Sequence, residues 1–295
     1  MKYLQTERGI LTYILEDNKI CIINYEGSDG FLDVPKFIEE YPVCGIGKKA
    51  FLGNRSLQHI VLPETIEWIG DWAFCGCMQL RSMELPYCQI RLGKGVFTKD
   101  AKLSEIDCNS NMVYPSFSKR LMAAAVTLLE ADYLLNMIQA GKPEWYEQLD
   151  NRLLTLLMDP VENALKDLVY CAEEDMGAKQ DAYLAETSRK KAYMALLRLA
   201  YPENLTEETE DRLVDYLLDG EGFQTKAAWE AIKESSGKEQ LIFCDIMIRI
   251  NGIREGNFSA VLEDLGDTFV ELKAHLLKEW EQRKEKISVW EALAL

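Results

Sequence analysis

The sequence predicts an α+β chain: a short β-rich solenoid of 23-residue coils, followed by an all-α helical-hairpin array or bundle. Three observations predict it. Between Ile46 and Cys108 the same residue types recur at a step of 23 residues. After Asn109-Ser110-Asn111 strand-like alternation stops, and Ala, Leu, Glu and Met recur at helical spacing. Helix punctuation then divides the second half, so the organisation is a repeat domain at 1–112 with an N-terminal β-hairpin cap and an α-helical domain at 113–295.

The repeat columns are Ile46/Ile69/Leu92, Gly47/Gly70/Gly93, Phe51/Phe74/Phe97, Leu57/Leu80/Leu103, Ile60/Met83/Ile106 and Leu62/Leu85/Cys108. A fixed period of this length marks a solenoid, whose coils bury their apolar sides only by stacking on one another. In Leu57-x-x-Ile60-x-Leu62 the last two apolar residues alternate as in a short strand. Pro63 ends that strand, because it has no N–H to give to the ladder. Ile69-Gly70 and Ala73-Phe74 supply the inner side of the returning segment. Glycine allows the tight bend there, and phenylalanine fills the wide part of the coil.

These columns resemble the BspA-like leucine-rich repeat family, whose pattern is roughly I-G-x-x-A-F-x-x-C/N-x-x-L-x-x-I-x-L-P. Phe37-Ile38-Glu39-Glu40-Tyr41-Pro42-Val43 before Ile46-Gly47 resembles that family's entry repeat, and the likeness covers residues 9–109. Val96 in place of alanine, Cys108 in place of leucine and a missing proline make the third repeat a decayed end. The resemblance implies a bacterial, protein-binding solenoid of a kind often secreted or surface-bound. The start Met1-Lys2-Tyr3-Leu4-Gln5-Thr6 has no apolar leader core, so the expectation for this chain is cytoplasmic.

Ahead of the repeats, Gly9–Leu15 and Ile20–Tyr25 flank the turn residues Glu16–Lys19, which reads as a hairpin capping the first coil. Phe31-Leu32-Asp33-Val34-Pro35 restarts the chain with an apolar residue before proline, as in Leu62-Pro63. Beyond the repeats, Asp159-Pro160-Val161-Glu162 and Thr206-Glu207-Glu208 are helix starts. Gly141, Gly177, Tyr201-Pro202, Gly220-Glu221-Gly222, Ser235-Ser236-Gly237 and Gly252 or Gly256 mark breaks between eight to ten helices. The paired segments Thr225–Ser235 and Lys238–Asn251 predict one helical hairpin, and Phe269, Leu272, Leu276 and Trp280 one stripe of the last long helix. The broad apolar surface of the segment Phe117–Leu135, in Leu121, Met122, Ala125, Val126, Leu128, Leu129, Leu134 and Leu135, predicts that its first helix caps the last coil, leaving 109–116 no free linker.

Composition narrows the function. With 49 acidic against 33 basic residues the net charge is −16, which disfavours nucleic acid and anionic membranes and favours a basic protein partner. Eight cysteines are spread through a chain large enough not to need disulfides, and most of them read as buried free thiols. Cys75-Gly76-Cys77 has the wrong spacing for zinc, and only His59 and His275 could complete a site, so no metal is expected. Cys77 shares a column with Asn54 and Asp100, which predicts a turn satisfied internally. No phosphate loop, H-E-x-x-H or G-x-S-x-G motif is present, and no catalytic residue or cofactor is expected.

A non-catalytic protein-interaction scaffold or adaptor is therefore the leading reading. The alternative is an enzyme or ligand sensor with its pocket in the helical half and the repeats regulatory; a deep, enclosed pocket there would distinguish it. If Leu57, Ile60 and Leu62 point inward, then His59 and Val61, Ser82 and Glu84, and Glu105 and Asp107 form an outward ladder with an acidic end. Trp68 and Trp72 flank the Ile69-Gly70 turn and, with Tyr41 and Tyr87, suggest an aromatic edge. These eight ladder and tryptophan positions are the candidate partner-binding residues.

Overall fold

In the computed structural model the residues described are 1–98, 102–109, 118–163, 176–218 and 226–293, forming two compact units, Met1–Arg152 and Leu153–Leu295. Asp100, Cys171, the 220–222 break, most of the 109–116 stretch and Leu295 lie outside them. In the first unit β1 (Lys2–Thr6), β2 (Gly9–Glu16) and β3 (Lys19–Glu26) form an antiparallel meander. The predicted hairpin is β2–β3. Its turn residues Asp17 and Asn18 both have positive φ (50° and 59°), the geometry that matches the twist of the flanking strands. β1 is an addition to the expected cap; its Lys2-Tyr3-Leu4-Gln5-Thr6 run buries too little to leave an apolar pattern.

From β3 the sheet continues in parallel through β6 (Tyr41–Ile46), β8 (Trp68–Ile69) and β10 (Arg91–Leu92), with β5 (Phe37–Ile38) antiparallel to β6. The returning sides of the coils are thus short strands. The opposite sides are β4 (Phe31–Asp33), β7 (His59–Val61), β9 (Ser82–Pro86) and β11 (Glu105–Asn109), a second, all-parallel sheet in the order β11-β9-β7-β4. β4 adds one coil ahead of the three that carry the period.

The 23-residue step becomes geometry in the register of these strands. Ile60 pairs with Met83 and Met83 with Ile106, all buried, together with Leu57, Leu80, Leu62 and Leu85. Each such side chain contributes roughly 1.5–3 kcal/mol on leaving water. Phe51, Phe74 and Phe97 stack in a column, with ring centroids 4.9 Å and 6.1 Å apart, and Tyr25 closes it 5.7 Å from Phe51. Glycine is required beside this column. A Cβ on Gly70 would stand 2.6 Å from the Lys48 amide nitrogen, and one on Gly93 2.4 Å from that of Asp71. Of the column shared by Asn54 and Cys77, Asn54 satisfies its own turn by accepting from the Ser56 and Leu57 amides, and the Cys77 thiol donates to the Phe51 carbonyl of the preceding coil at 3.1 Å.

The last coil is covered by α1 (Lys119–Thr127), which packs against β11. Ser118 caps it by accepting from the Leu121 amide, and Leu121 to Val126 are buried without interruption, more than one helical face. Arg120 donates to the Ser104 carbonyl at 3.0 Å and fixes the helix on the coil edge. Beyond it lie a 3₁₀ turn at Asp132–Leu134 and α2 (Pro143–Met158), with Trp145 donating to the Leu134 carbonyl at 2.9 Å.

The second unit is built on α3 (Met176–Ala200), which touches α4 (Glu207–Leu218), α5 (Lys226–Glu234) and α6 (Gly237–Arg249). From Ala192 to Leu199 nearly every residue is buried, because this end of α3 has neighbours on several sides. Even Arg198 is buried; it donates to the carbonyls of Tyr201 and Glu203 where the helix ends. Lys191 donates to the Asp159 carbonyl, and burial pushes its pKa down. Gly177, expected as a break, lies inside the first turn of α3. Val161 to Asn163 make a 3₁₀ turn at the expected helix start, and the rest of that expected helix lies outside the described residues. Thr206 accepts from the Thr209 amide at the start of α4, as its sequence predicts.

The predicted hairpin is α5–α6. α7 (Glu255–Leu265) and α8 (Val270–Leu293) complete the unit; Gly252 lies at the break before α7 and Gly256 inside its first turn, and α8 touches α6 and α7 with Leu272, Leu276 and Trp280 buried. Asp264 of α7 accepts from Trp229 Nε1 at 2.6 Å and pairs with Lys233 at 3.1 Å, both on α5. The Trp229 hydrogen bond, then that of Lys233, holds the Asp264 carboxyl below its ordinary pKa.

Gly70→Ala should cost about 1–3 kcal/mol in denaturant unfolding, because backbone faces the added methyl. A 1–116 fragment should aggregate where a 1–152 fragment unfolds cooperatively; a soluble, cooperative 1–116 fragment would contradict the capping role of α1. For Asp264, a depressed folded pKa means stability present above the ordinary value of 3.8 and lost as pH falls through the lower folded one. The melting-temperature gap between the parent and Asp264→Ala should therefore narrow on acidification below that range.

Candidate functional site

The second sheet turns a two-column surface outward. Strand register aligns Phe31, His59, Ser82 and Glu105 in one column and Asp33, Val61, Glu84 and Asp107 in the other. All are half-buried or exposed, while the alternating Leu32, Ile60, Met83 and Ile106 are buried. The six predicted ladder residues thus share one surface, as period-two alternation requires. His59 Nδ1 and Ser82 Oγ lie 2.6 Å apart across neighbouring strands.

Two residues of this surface escaped the sequence reading. Phe31 and Asp33 belong to β4, whose step to β7 exceeds 23 residues because β5 and β6 intervene, so no column alignment reveals them. Arg8 lies over the Phe31 ring, 4.4 Å from its centroid. At the other end, Lys119 of the capping helix forms an ion pair with Asp107. Its hydrogen bond with Asp107 raises the Lys119 pKa, and the fields of Asp107, Glu105 and Glu84 add to this. Three carboxylates there share one ammonium group, and the remaining negative charge faces solvent.

Trp68 and Trp72 stand elsewhere. Trp68 is in β8 of the first sheet, between Gly45 of β6 and Arg91 of β10. A Cβ on Gly45 would lie 2.1 Å from the indole, so glycine there lets the ring settle over β6, and the Arg91 guanidinium sits 5.9 Å from it. Trp68 is half-buried. Trp72 lies on the turn beyond β8 and is 37% exposed, with Lys48 and Lys49 on its ring.

In the helical unit a groove of about 330 Å³ runs between α6 and α8, lined by Asp245, Ile248, Arg249, Glu279, Gln282 and Arg283. It opens to solvent and holds both signs of charge. Beside it His275 Nε2 and Asp245 Oδ1 are 2.6 Å apart. Cys244 beneath is buried, and desolvation pushes its thiol pKa strongly up, away from nucleophilic use. Among the described residues no group of three or more metal-ligating side chains converges, and no helix is long and apolar enough to cross a membrane.

The stacked coils, glycine column and aromatic column agree with a comparison against known families, in which residues 36–123 match the description "BspA type Leucine rich repeat region (6 copies)". Residues 36–123 form a BspA-type leucine-rich repeat region. A leucine-rich repeat protein from T. pallidum is 32% identical over 36% of this chain and 47% of its own, with a TM-score of 0.32. A leucine-rich cell surface protein from Faecalibacterium prausnitzii is 23% identical over 37% and 30% of the two chains (TM-score 0.31). A leucine-rich repeat protein from Bacteroides ovatus is 23% identical over 35% and 28% (TM-score 0.31). The match thus spans less than half of each of these three proteins. No curated protein matches the chain.

A lysine whose pKa is raised carries less neutral amine at a given alkaline pH. Asp107→Asn should accordingly speed acylation of Lys119 by an amine-reactive ester, read by peptide mass mapping, and leave the rate at Lys48 unchanged.

Proposed function

We propose that the protein is a non-catalytic interaction scaffold or adaptor, and that the outward face of the second sheet binds a protein partner with basic side chains. One observation carries this reading: His59, Val61, Ser82, Glu84, Glu105 and Asp107 lie in register on one face of the sheet, half-buried or exposed, with Phe31 and Asp33. Four carboxylates stand on that face, and Lys119 is the cation paired at its end. Leucine-rich repeat proteins commonly bind proteins, which supports the same reading. Complementary charge of this kind steers encounter and selects partners more than it adds raw affinity.

In this reading the repeat region presents the binding surface, and the helical unit supplies a second body of the adaptor. Partner capture needs no cofactor or metal, and a polyanion such as nucleic acid would meet the carboxylate end with repulsion.

The test is co-purification from native cells with the full chain as bait, comparing the parent with Glu84→Lys/Glu105→Lys/Asp107→Lys, each first checked for an unchanged melting profile. A protein recovered by the parent should be lost from the charge-reversed chain. Recovery of the same proteins by both would rule out this face.

A further inference from the structure

On the turns after β6, β8 and β10 one column holds Lys49, Trp72 and Gly95, and all three have left-handed backbones, with φ of 61°, 53° and 61°. Glycine takes this conformation at little cost, whereas a bulky residue seldom adopts it. Gly95 demonstrates that the coil accepts glycine in this column. Trp72 is nevertheless held there, at a surface position. A strained aromatic that is not committed to the core points to use at the surface rather than to packing.

Its surroundings are built to match. A Cβ on Gly95 would lie 2.9 Å from Cδ1 and Nε1 of Trp72, so the missing side chain lets the indole rest on the next coil. The Lys48 and Lys49 ammonium groups stand 4.9 Å and 5.6 Å from the ring centroid. Lys94 is exposed one coil on. Asp71, the carboxylate of this ridge, lies 3.9 Å from Lys48 and accepts from the Lys94 amide. Among the described residues neither the Lys49 nor the Lys94 ammonium has a carboxylate partner. A chain of net charge −16 therefore carries an aromatic platform ringed by cations.

We propose that this ridge binds an acidic segment of a partner protein, whose carboxylates pair with Lys49 and Lys94 while an apolar or aromatic side chain lies on the Trp72 indole. Charge complementarity selects that occupant: a basic segment would meet three ammonium groups. Exposed tryptophan flanked by charge is also the composition of an interface hot spot. The ridge uses none of the ladder residues, so failure of either surface leaves the other standing.

The experiment uses the full chain and two fluorescent peptides of equal length, one alternating glutamate with phenylalanine and the other lysine with phenylalanine, followed by anisotropy at low salt. The acidic peptide should bind more tightly, and Lys49→Glu/Lys94→Glu should weaken it about tenfold or more. Charge reversal at Glu84 and Glu105 should leave that affinity undiminished. Trp72→Gly should lose binding while keeping or raising the melting temperature, because glycine suits the backbone; a purely structural tryptophan would give a clear fall in melting temperature. Equal binding of the two peptides, indifference to the lysine reversals, or that fall would each overturn the proposal. So would sedimentation showing self-association abolished by Trp72→Gly, which would assign the ridge to a second copy.

Discussion

The fold depends on how closely each coil approaches the next. Gly70 and Gly93 bring backbone against backbone at a distance that admits no side chain, and hydrogen bonds from the Gly70 amide to the Ile46 carbonyl and from the Gly93 amide to the Ile69 carbonyl close the gap. With that spacing fixed, Phe51, Phe74 and Phe97 can stack, and Ile60, Met83 and Ile106 can meet in register. The outward columns then need no further specification, because a residue displaced by one position would turn to the core. The same constraint that buries the leucines thus creates the candidate binding surface.

A stack of coils has two ends, and this chain treats them differently. The first is continued by the antiparallel strands β1–β3, which extend one sheet. The last is covered by α1, whose unbroken buried run from Leu121 to Val126 replaces the coil that would come next. α1 also carries Lys119 to the most acidic part of the outward surface. Closing the core and trimming the charge of the ladder are two effects of one short helix.

Much of this was legible because a repeat states its own geometry. The 23-residue step fixed the coils, the inward and outward residues and the decayed third repeat, and the breadth of the apolar surface after Ser118 identified the cap. Legibility fails where the period fails. β4 is displaced by the inserted β5–β6 ribbon, so no 23-residue step aligns Phe31 and Asp33 with His59 and Val61. Aromatic character alone places Trp68 and Trp72 in one candidate set with the ladder, but the returning strands carry Trp68 on the other sheet and Trp72 on the turn beyond it. In the helical unit, caps, short connections and an apolar stripe locate α4, α5, α6 and α8, whereas nothing in the pattern marks α7. No local pattern could announce that α3 lies among three helices or that Arg198 is buried at its end, since both depend on neighbours distant in sequence.

The central claim is that the register-aligned face of the second sheet meets a protein partner. Hydroxyl-radical footprinting of the full chain, alone and with a partner recovered from native cells, measures this directly. Phe31, His59 and Val61 should lose reactivity on binding while the exposed Ile242 and Leu277 of the helical unit keep theirs. Protection confined to the helical unit, with the three ladder residues unchanged, would contradict it.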